Sequence, residues 1–130
     1  MLSHIHIGIT DFDDAFIFYD AVFKVLDLEL KFREPDVPWA GWKEKDKPRP
    51  LLLIGKAENG QAAAPGNGQM IALLAKRRND VDLCYRIALE HGGVCEGKPG
   101  LRAKYHPNYY GTYFRDLDGN KLCVCSHNAE

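Results

Sequence analysis

The chain has no surplus of charge and no long apolar run, and each absence removes a class of function. Seventeen Lys and Arg stand against eighteen Asp and Glu in 130 residues, for a formal net charge of −1. That balance gives no overall electrostatic footprint for nucleic acid and no polybasic patch for a membrane surface. Apolar stretches stop at lengths such as Ile71–Ala75, far short of the ~20 residues a spanning helix needs. Met1-Leu2-Ser3-His4 lacks the charged and apolar regions of a signal peptide. Cysteine is sparse: Cys84, Cys95, Cys123 and Cys125 form no CxxC pair and no secreted disulfide framework. A cytoplasmic protein is therefore expected. Hydrophobic residues at 45% and charged residues at 27% exclude a disordered chain.

What remains is one globular domain, or two small units of about 65 residues sharing a core. Ile5, Ile7 and Ile9 alternate with His4, His6 and Gly8, which predicts a two-faced strand over Ser3–Thr10. Asp11 then reads as an N-cap, and Phe12, Ala15, Phe16, Tyr19, Val22, Phe23 and Leu26 recur at helical spacing. Short strands are expected at Glu29–Arg33, Ala40–Lys43 and Leu51–Ile54, punctuated by prolines. The Gly- and Ala-rich run Gly55–Gly68 reads as a loop.

After the loop the pattern restarts. Met70–Ala75 is an apolar strand, Asn79 is the expected cap of a second helix, and His91-Gly92-Gly93 supplies its C-terminus. Strands follow at Val94–Glu96, Tyr109–Arg115 and Lys121–Ser126, the last two joined by the turn signal Asp118-Gly119-Asn120. Met70 follows His4 by 66 residues, as Asp80 follows Asp14 and Tyr85 follows Tyr19. A strand–helix–three-strand unit thus occurs twice.

His4-Ile5-His6-Ile7-Gly8-Ile9-Thr10-Asp11, running into Phe18-Tyr19, resembles the opening of vicinal oxygen chelate proteins. That superfamily includes glyoxalase I, bleomycin-resistance proteins and extradiol dioxygenases. Arg115-Asp116-Leu117-Asp118-Gly119-Asn120-Lys121-Leu122 is similar to its closing hairpin, and Gly66 through Ala72 to the start of its second module. The resemblance implies an α+β fold of two βαβββ modules whose curved mixed sheets surround a shared cleft. Module one would cover about residues 1–56, a linker about 57–68 and module two about 69–130. The helices would pack on the outer faces through Ile5, Ile7 and Ile9 and their counterparts. A homodimer is implied as well.

In such proteins metal ligands project from the first and last strands of each module. His4 matches the first-strand histidine and is the candidate metal-binding residue. Met70 stands where the second module often has histidine, Cys123 where glyoxalase-type members carry glutamate, and Leu51–Ile54 offers only apolar side chains. A hard divalent ion prefers oxygen and imidazole, so the expectation is no cofactor, with a divalent metal ion as the alternative.

Strand parity places His4, His6, Met70 and Leu74 on the cleft side, and puts Cys123 and Cys125 on one face together. Tyr105, Tyr109, Tyr110 and Tyr113 suggest an aromatic wall, and Lys98, Arg102 and Lys104 a place for a carboxylate or phosphate. The cleft residues expected from this reading are His4, His6, Met70, Leu74, Arg102, Tyr109, Tyr113, Cys123 and Cys125. Trp39 and Trp42 have opposite parity, so they should part company. Cys84 belongs to the core, His106 to a solvated loop and His127 to a frayed tail. Two functions compete: a protein that binds a small organic molecule without metal, and a divergent metal-dependent lyase or isomerase of the lactoylglutathione lyase type.

Overall fold

Alternation of isoleucine with polar residues makes β1 (His4–Gly8) a strand with two unlike faces. In the computed structural model all 130 residues are described. Asp11 caps α1 (Phe12–Val25), its Oδ1 accepting the Asp14 N–H at 3.0 Å. Three strands follow: β2 (Leu28–Glu34), β3 (Trp39–Glu44) and β4 (Leu51–Gly55). They form a mixed sheet in the order β1-β4-β3-β2, with β1 parallel to β4 and the other pairs antiparallel.

Ile7, Ala40, Trp42 and Ile54 bury one face of this sheet, and Phe18, Tyr19, Val22 and Phe23 bury the facing stripe of α1. Ile5 is only half-buried. Trp42 is the largest side chain in this core. It stacks on Phe16 at 5.5 Å between centroids and meets Phe23 edge-on at 5.1 Å. Its Nε1 donates to Asp20 Oδ1 at 3.3 Å. Trp39 parts from it as parity requires, packing against Phe32 on the opposite face at 4.9 Å.

The second half repeats the order with β5 (Ile71–Leu74), α2 (Arg78–Glu90), β6 (Val94–Leu101), β7 (Tyr110–Arg115) and β8 (Lys121–Ser126). Its sheet runs β5-β8-β7-β6, again with the first and last strands parallel. Val81, Cys84 and Ala88 of α2 are buried, as are Phe114, Leu122 and Val124 of the sheet. The chain divides into two compact units, Met1–Pro65 and Gly66–Glu130. Each is one βαβββ module of an α+β fold. No helix is long and apolar enough to cross a membrane.

Two local expectations are corrected. The N-cap of α2 is Arg77, not Asn79, and it makes no side-chain cap. Asp80 instead pairs with Arg77 at 3.0 Å, and Glu130 Oε2 accepts the Arg78 N–H at 2.8 Å. The 66-residue offset from Asp11 already pointed to position 77; Asn79 was favoured only because its residue type suits a cap. The other correction is β6, which continues past Glu96 to Leu101. Pro99 is tolerated because β6 lies at a sheet edge, and register shifts absorb Gly97 and Gly100.

The chain reversals follow turn chemistry. Gly92 takes φ +93° after α2, with Gly93 N–H donating to Ala88 O and Gly92 N–H to Leu89 O. Between β7 and β8, Asp116 Oδ1 accepts the N–H groups of Asp118 and Asn120 at 2.9 and 2.8 Å.

Candidate ligand-binding groove

Alternation along β7 and β8 sorts the second unit's residues onto two faces. Thr112, Phe114, Leu122 and Val124 are fully buried, the apolar ones completing the core with α2. The other face pairs Tyr113 with Cys123, Gly111 with Cys125 and Arg115 with Lys121. Gly111 matters because it has no side chain. A Cβ there would meet Tyr109 Cε1 at 2.8 Å and Cys125 Cβ at 3.3 Å. Its absence lets the Tyr109 ring fold back across β7.

Tyr109 closes over the two cysteines. Its hydroxyl lies 3.1 Å from the Tyr113 hydroxyl and 3.5 Å from Cys123 Sγ. Cys123 is fully buried and Cys125 is 4% exposed. The hydrogen bond to Cys125 and then burial hold Cys123 protonated well above the usual thiol range. The same bond, reinforced by Tyr109 and His127 against the cost of burial, brings Cys125 down to about 6. The pair releases its first proton readily, from Cys125, and its second with difficulty.

Beyond Cys125 stand two histidines. His127 Nε2 lies 3.7 Å from Cys125 Sγ, and its Nδ1 lies 2.7 Å from His106 Nε2. The Asn108 N–H donates to His106 Nδ1 at 3.1 Å. That bond places the His106 proton on Nε2, which donates to His127 Nδ1, and so the His127 proton is on Nε2 facing the sulfur. The imidazole rings stack with centroids 5.0 Å apart. His106 is therefore no free loop residue and His127 no frayed tail.

Beside this cluster opens a groove of about 510 Å³ lined by segments from Asn67 to Lys121. Arg102, Lys104, Arg115 and Lys121 face one carboxylate, Glu96. Glu96 is held by Arg115, which lowers its pKa and leaves it an ion-pair partner rather than a base. Tyr113 lies in the wall with Arg102 Cζ 5.6 Å and Lys121 Nζ 5.7 Å from its ring centroid. Lys104 Nζ lies 5.1 Å from the Tyr105 ring, and Met70 supplies apolar surface. Arg102 is positioned by donating to Lys98 O at 2.7 Å. The groove is electropositive on a chain of nearly zero net charge.

Of the residues expected in a cleft, Met70, Arg102 and Tyr113 line this groove. Tyr109, Cys123 and Cys125 lie behind Tyr113 on the same sheet face. Leu74 is largely exposed on β5. His4 and His6 belong to the first unit, exposed on β1. Tyr110 leaves the expected aromatic wall: its hydroxyl donates to Asp82 at 2.6 Å, on the α2 side. Sequence reasoning missed Lys121, Arg115 and Glu96; strand alternation puts Arg115 and Lys121 on the Tyr113 face, whereas Glu96 sits at the register shift between Cys95 and Gly97.

The chain belongs to the Glyoxalase/Bleomycin resistance protein/Dioxygenase superfamily, whose family model matches residues 1–124. Among solved structures it is similar to a glyoxalase/bleomycin resistance protein from Albidiferax ferrireducens. The identity is 29% and the TM-score 0.85, covering 97% of this chain and 98% of that one. A glyoxalase-related enzyme from Fulvimarina pelagi shares the fold at 19% identity and TM-score 0.73, over 97% of this chain and 87% of that one. TnmS3, an antibiotic binding protein from Streptomyces, does so at 17% identity and TM-score 0.66, over 98% and 96%. No curated protein matches the sequence.

Many members of this superfamily hold a divalent metal ion, and the donors here do not fit one. Cys123 is a buried, protonated thiol engaged with Tyr109, and Met70 offers only a thioether. The strand segment Leu51–Ile54 is apolar and buried. His4 Nδ1 is bonded to Ser3 Oγ at 2.9 Å. Neither unit gathers three His, Cys, Asp or Glu side chains for an ion.

Proposed function

We propose that this protein binds a small organic molecule carrying an anionic group beside an aromatic or apolar body, in the groove of the second unit. The observation that carries this reading is the Tyr113 ring flanked by Arg102 and Lys121, in a groove with four cations and one already-paired carboxylate. Cations set beside aromatic faces attract a carboxylate, sulfonate or phosphate, while the rings and Met70 accept its apolar part. The poor fit of Met70, Cys123 and Leu51–Ile54 to a divalent ion supports binding rather than metal-dependent turnover. TnmS3, an antibiotic binding protein of the same fold, supports small-molecule binding as one use of this architecture. A cytoplasmic homodimer is part of the same reading, supported by the family resemblance; sedimentation tests the dimer.

The test is a thermal-shift and calorimetric screen of aromatic carboxylates, sulfonates and phosphates against neutral isosteres of the same size. Anionic members are expected to raise the melting temperature with the logarithm of their concentration above Kd, and Arg102→Ala with Lys121→Ala to remove the effect. Equal binding of the neutral isosteres, or no shift with any member, would overturn it.

A further inference from the structure

The groove uses neither the cysteine pair nor the two histidines behind it. Cys125, His127 and His106 form a hydrogen-bonded series of 3.7 and 2.7 Å, anchored by the Asn108 N–H. This arrangement stabilises a thiolate: an imidazole N–H donates to the sulfur, and a third group fixes the imidazole's tautomer and orientation. We propose that Cys125 is a nucleophilic thiolate maintained by His127 and His106, and the chain's preferred site of oxidation by small hydroperoxides.

Each part of the surroundings favours this chemistry. Along β8, Cys123 bonds to Cys125 from one side and His127 faces it from the other, while Tyr109 reaches it from the loop before β7. Its strand partners are Leu74 on β5 and Gly111 on β7, neither of them titratable. The groups that act on the sulfur are thus hydrogen-bond donors. Access is narrow, since Cys125 is 4% exposed. Hydrogen peroxide, scarcely larger than water, fits that opening better than a bulky electrophile. The other cysteines contrast with it. Cys84 is buried against α2 and pushed up to about 12, and Cys123 is fully buried and protonated. Cys95 is exposed and serves as an internal reference.

The step balances without a cofactor. The Cys125 sulfur attacks one peroxide oxygen, an S–O bond forms and the O–O bond breaks. The sulfur gives up two electrons, and the departing hydroxide combines with the proton that the thiol released to solvent on ionising, leaving as water. The product is a sulfenic acid.

The experiment treats the full chain with limiting hydrogen peroxide between pH 5 and 9. Sulfenic acid is trapped with a 1,3-diketone, and each cysteine-containing peptide is quantified by mass spectrometry. With its pKa lowered by Cys123, Tyr109 and His127, Cys125 should gain far less in rate from pH 6 to 8 than an ordinary thiol, which gains roughly eighty-fold from thiolate fraction alone. At pH 6 Cys125 should react several-fold faster than the exposed Cys95, the thiolate advantage outweighing its lower intrinsic nucleophilicity. His127→Ala, at an exposed position, should make the Cys125 profile steep, and His106→Ala should shift it the same way by less. Lys24→Ala, on α1 of the other unit, should leave it unchanged, and the anion screen tests the groove by itself, so failure of the groove reading and failure of this one are separable. An unmodified Cys125 alongside oxidised Cys95 would overturn the proposal. So would a Cys125 profile as steep as that of Cys95, or one indifferent to His127→Ala.

Discussion

Glu130 Oε2 accepts the backbone N–H of Arg78 at 2.8 Å, so a carboxylate 52 residues away in sequence caps the start of α2. Arg77, at the N-cap, has no acceptor to offer. Glu130→Ala should therefore destabilise the fold by about 0.5–1 kcal/mol, a normal value for a lost cap with its dipole interaction. Urea unfolding of the two proteins checks it, and raising the salt concentration should narrow the gap.

Asp116 should be far less replaceable. It is 3% exposed, and its two carboxylate oxygens accept the Asp118 and Asn120 N–H groups and Asn120 Nδ2. Asp116→Ala leaves these donors without their partner and should cost on the order of 2 kcal/mol. Hydrogen exchange should show the β7–β8 turn opening first.

Gly111→Ala tests the close approach that builds the site. The new methyl would press on the Tyr109 ring and on the Cys125 Cβ, costing about 1–3 kcal/mol by overpacking. Displacing Tyr109 also removes one donor from Cys125, so the pH midpoint of Cys125 oxidation by hydrogen peroxide should rise above that of the parent protein. A parent-like midpoint would show that the ring does not support the thiolate.

Alkaline stability follows from groups kept neutral by the fold. Cys84 is raised from 9.0 to about 12 by burial. Tyr110 is raised from 10.0 to about 12, chiefly by its bond to Asp82. A raised acid contributes stability that is complete below its unfolded pKa and is lost as pH climbs through the folded one. The contribution of these two groups should therefore be complete to about pH 9 and be lost toward pH 12, seen as a falling melting temperature over that range. Tyr110→Phe should flatten the Tyr110 part of that fall.

Ligand binding in the groove should be strongly dependent on salt. An anion bound among Arg102, Lys104, Arg115 and Lys121 is attracted at partly solvated sites that salt screens. Arg102→Ala and Lys121→Ala should each weaken an anionic aromatic ligand about tenfold, or ~1.4 kcal/mol. Titration calorimetry at two ionic strengths measures both effects.

Much of the fold was legible along the chain. Asp11 as a cap, the His91-Gly92-Gly93 terminus, the Asp118-Gly119-Asn120 turn and the 66-residue repeat all rest on local chemistry or periodicity. So did the separation of Trp39 from Trp42 and the placement of Cys84 in the core. Local residue type misled at Asn79, where the repeat was the better guide, and at β6, where Gly97, Pro99 and Gly100 concealed an edge strand. The site was only partly visible. His127 read as a tail and His106 as a loop residue because their partnership spans 21 positions.

The sequence by itself determined the order of elements, the duplicated module and the inward face of each strand, since these depend on neighbours a few residues apart. Only the tertiary structure decided what the chemistry could be. It folded Tyr109 across Gly111 onto the cysteine pair and set two histidines beside Cys125. It also gathered four cations into one groove on a chain of net charge −1. Composition sums charges, whereas a ligand responds to where they converge, and that convergence is set by long-range strand pairing.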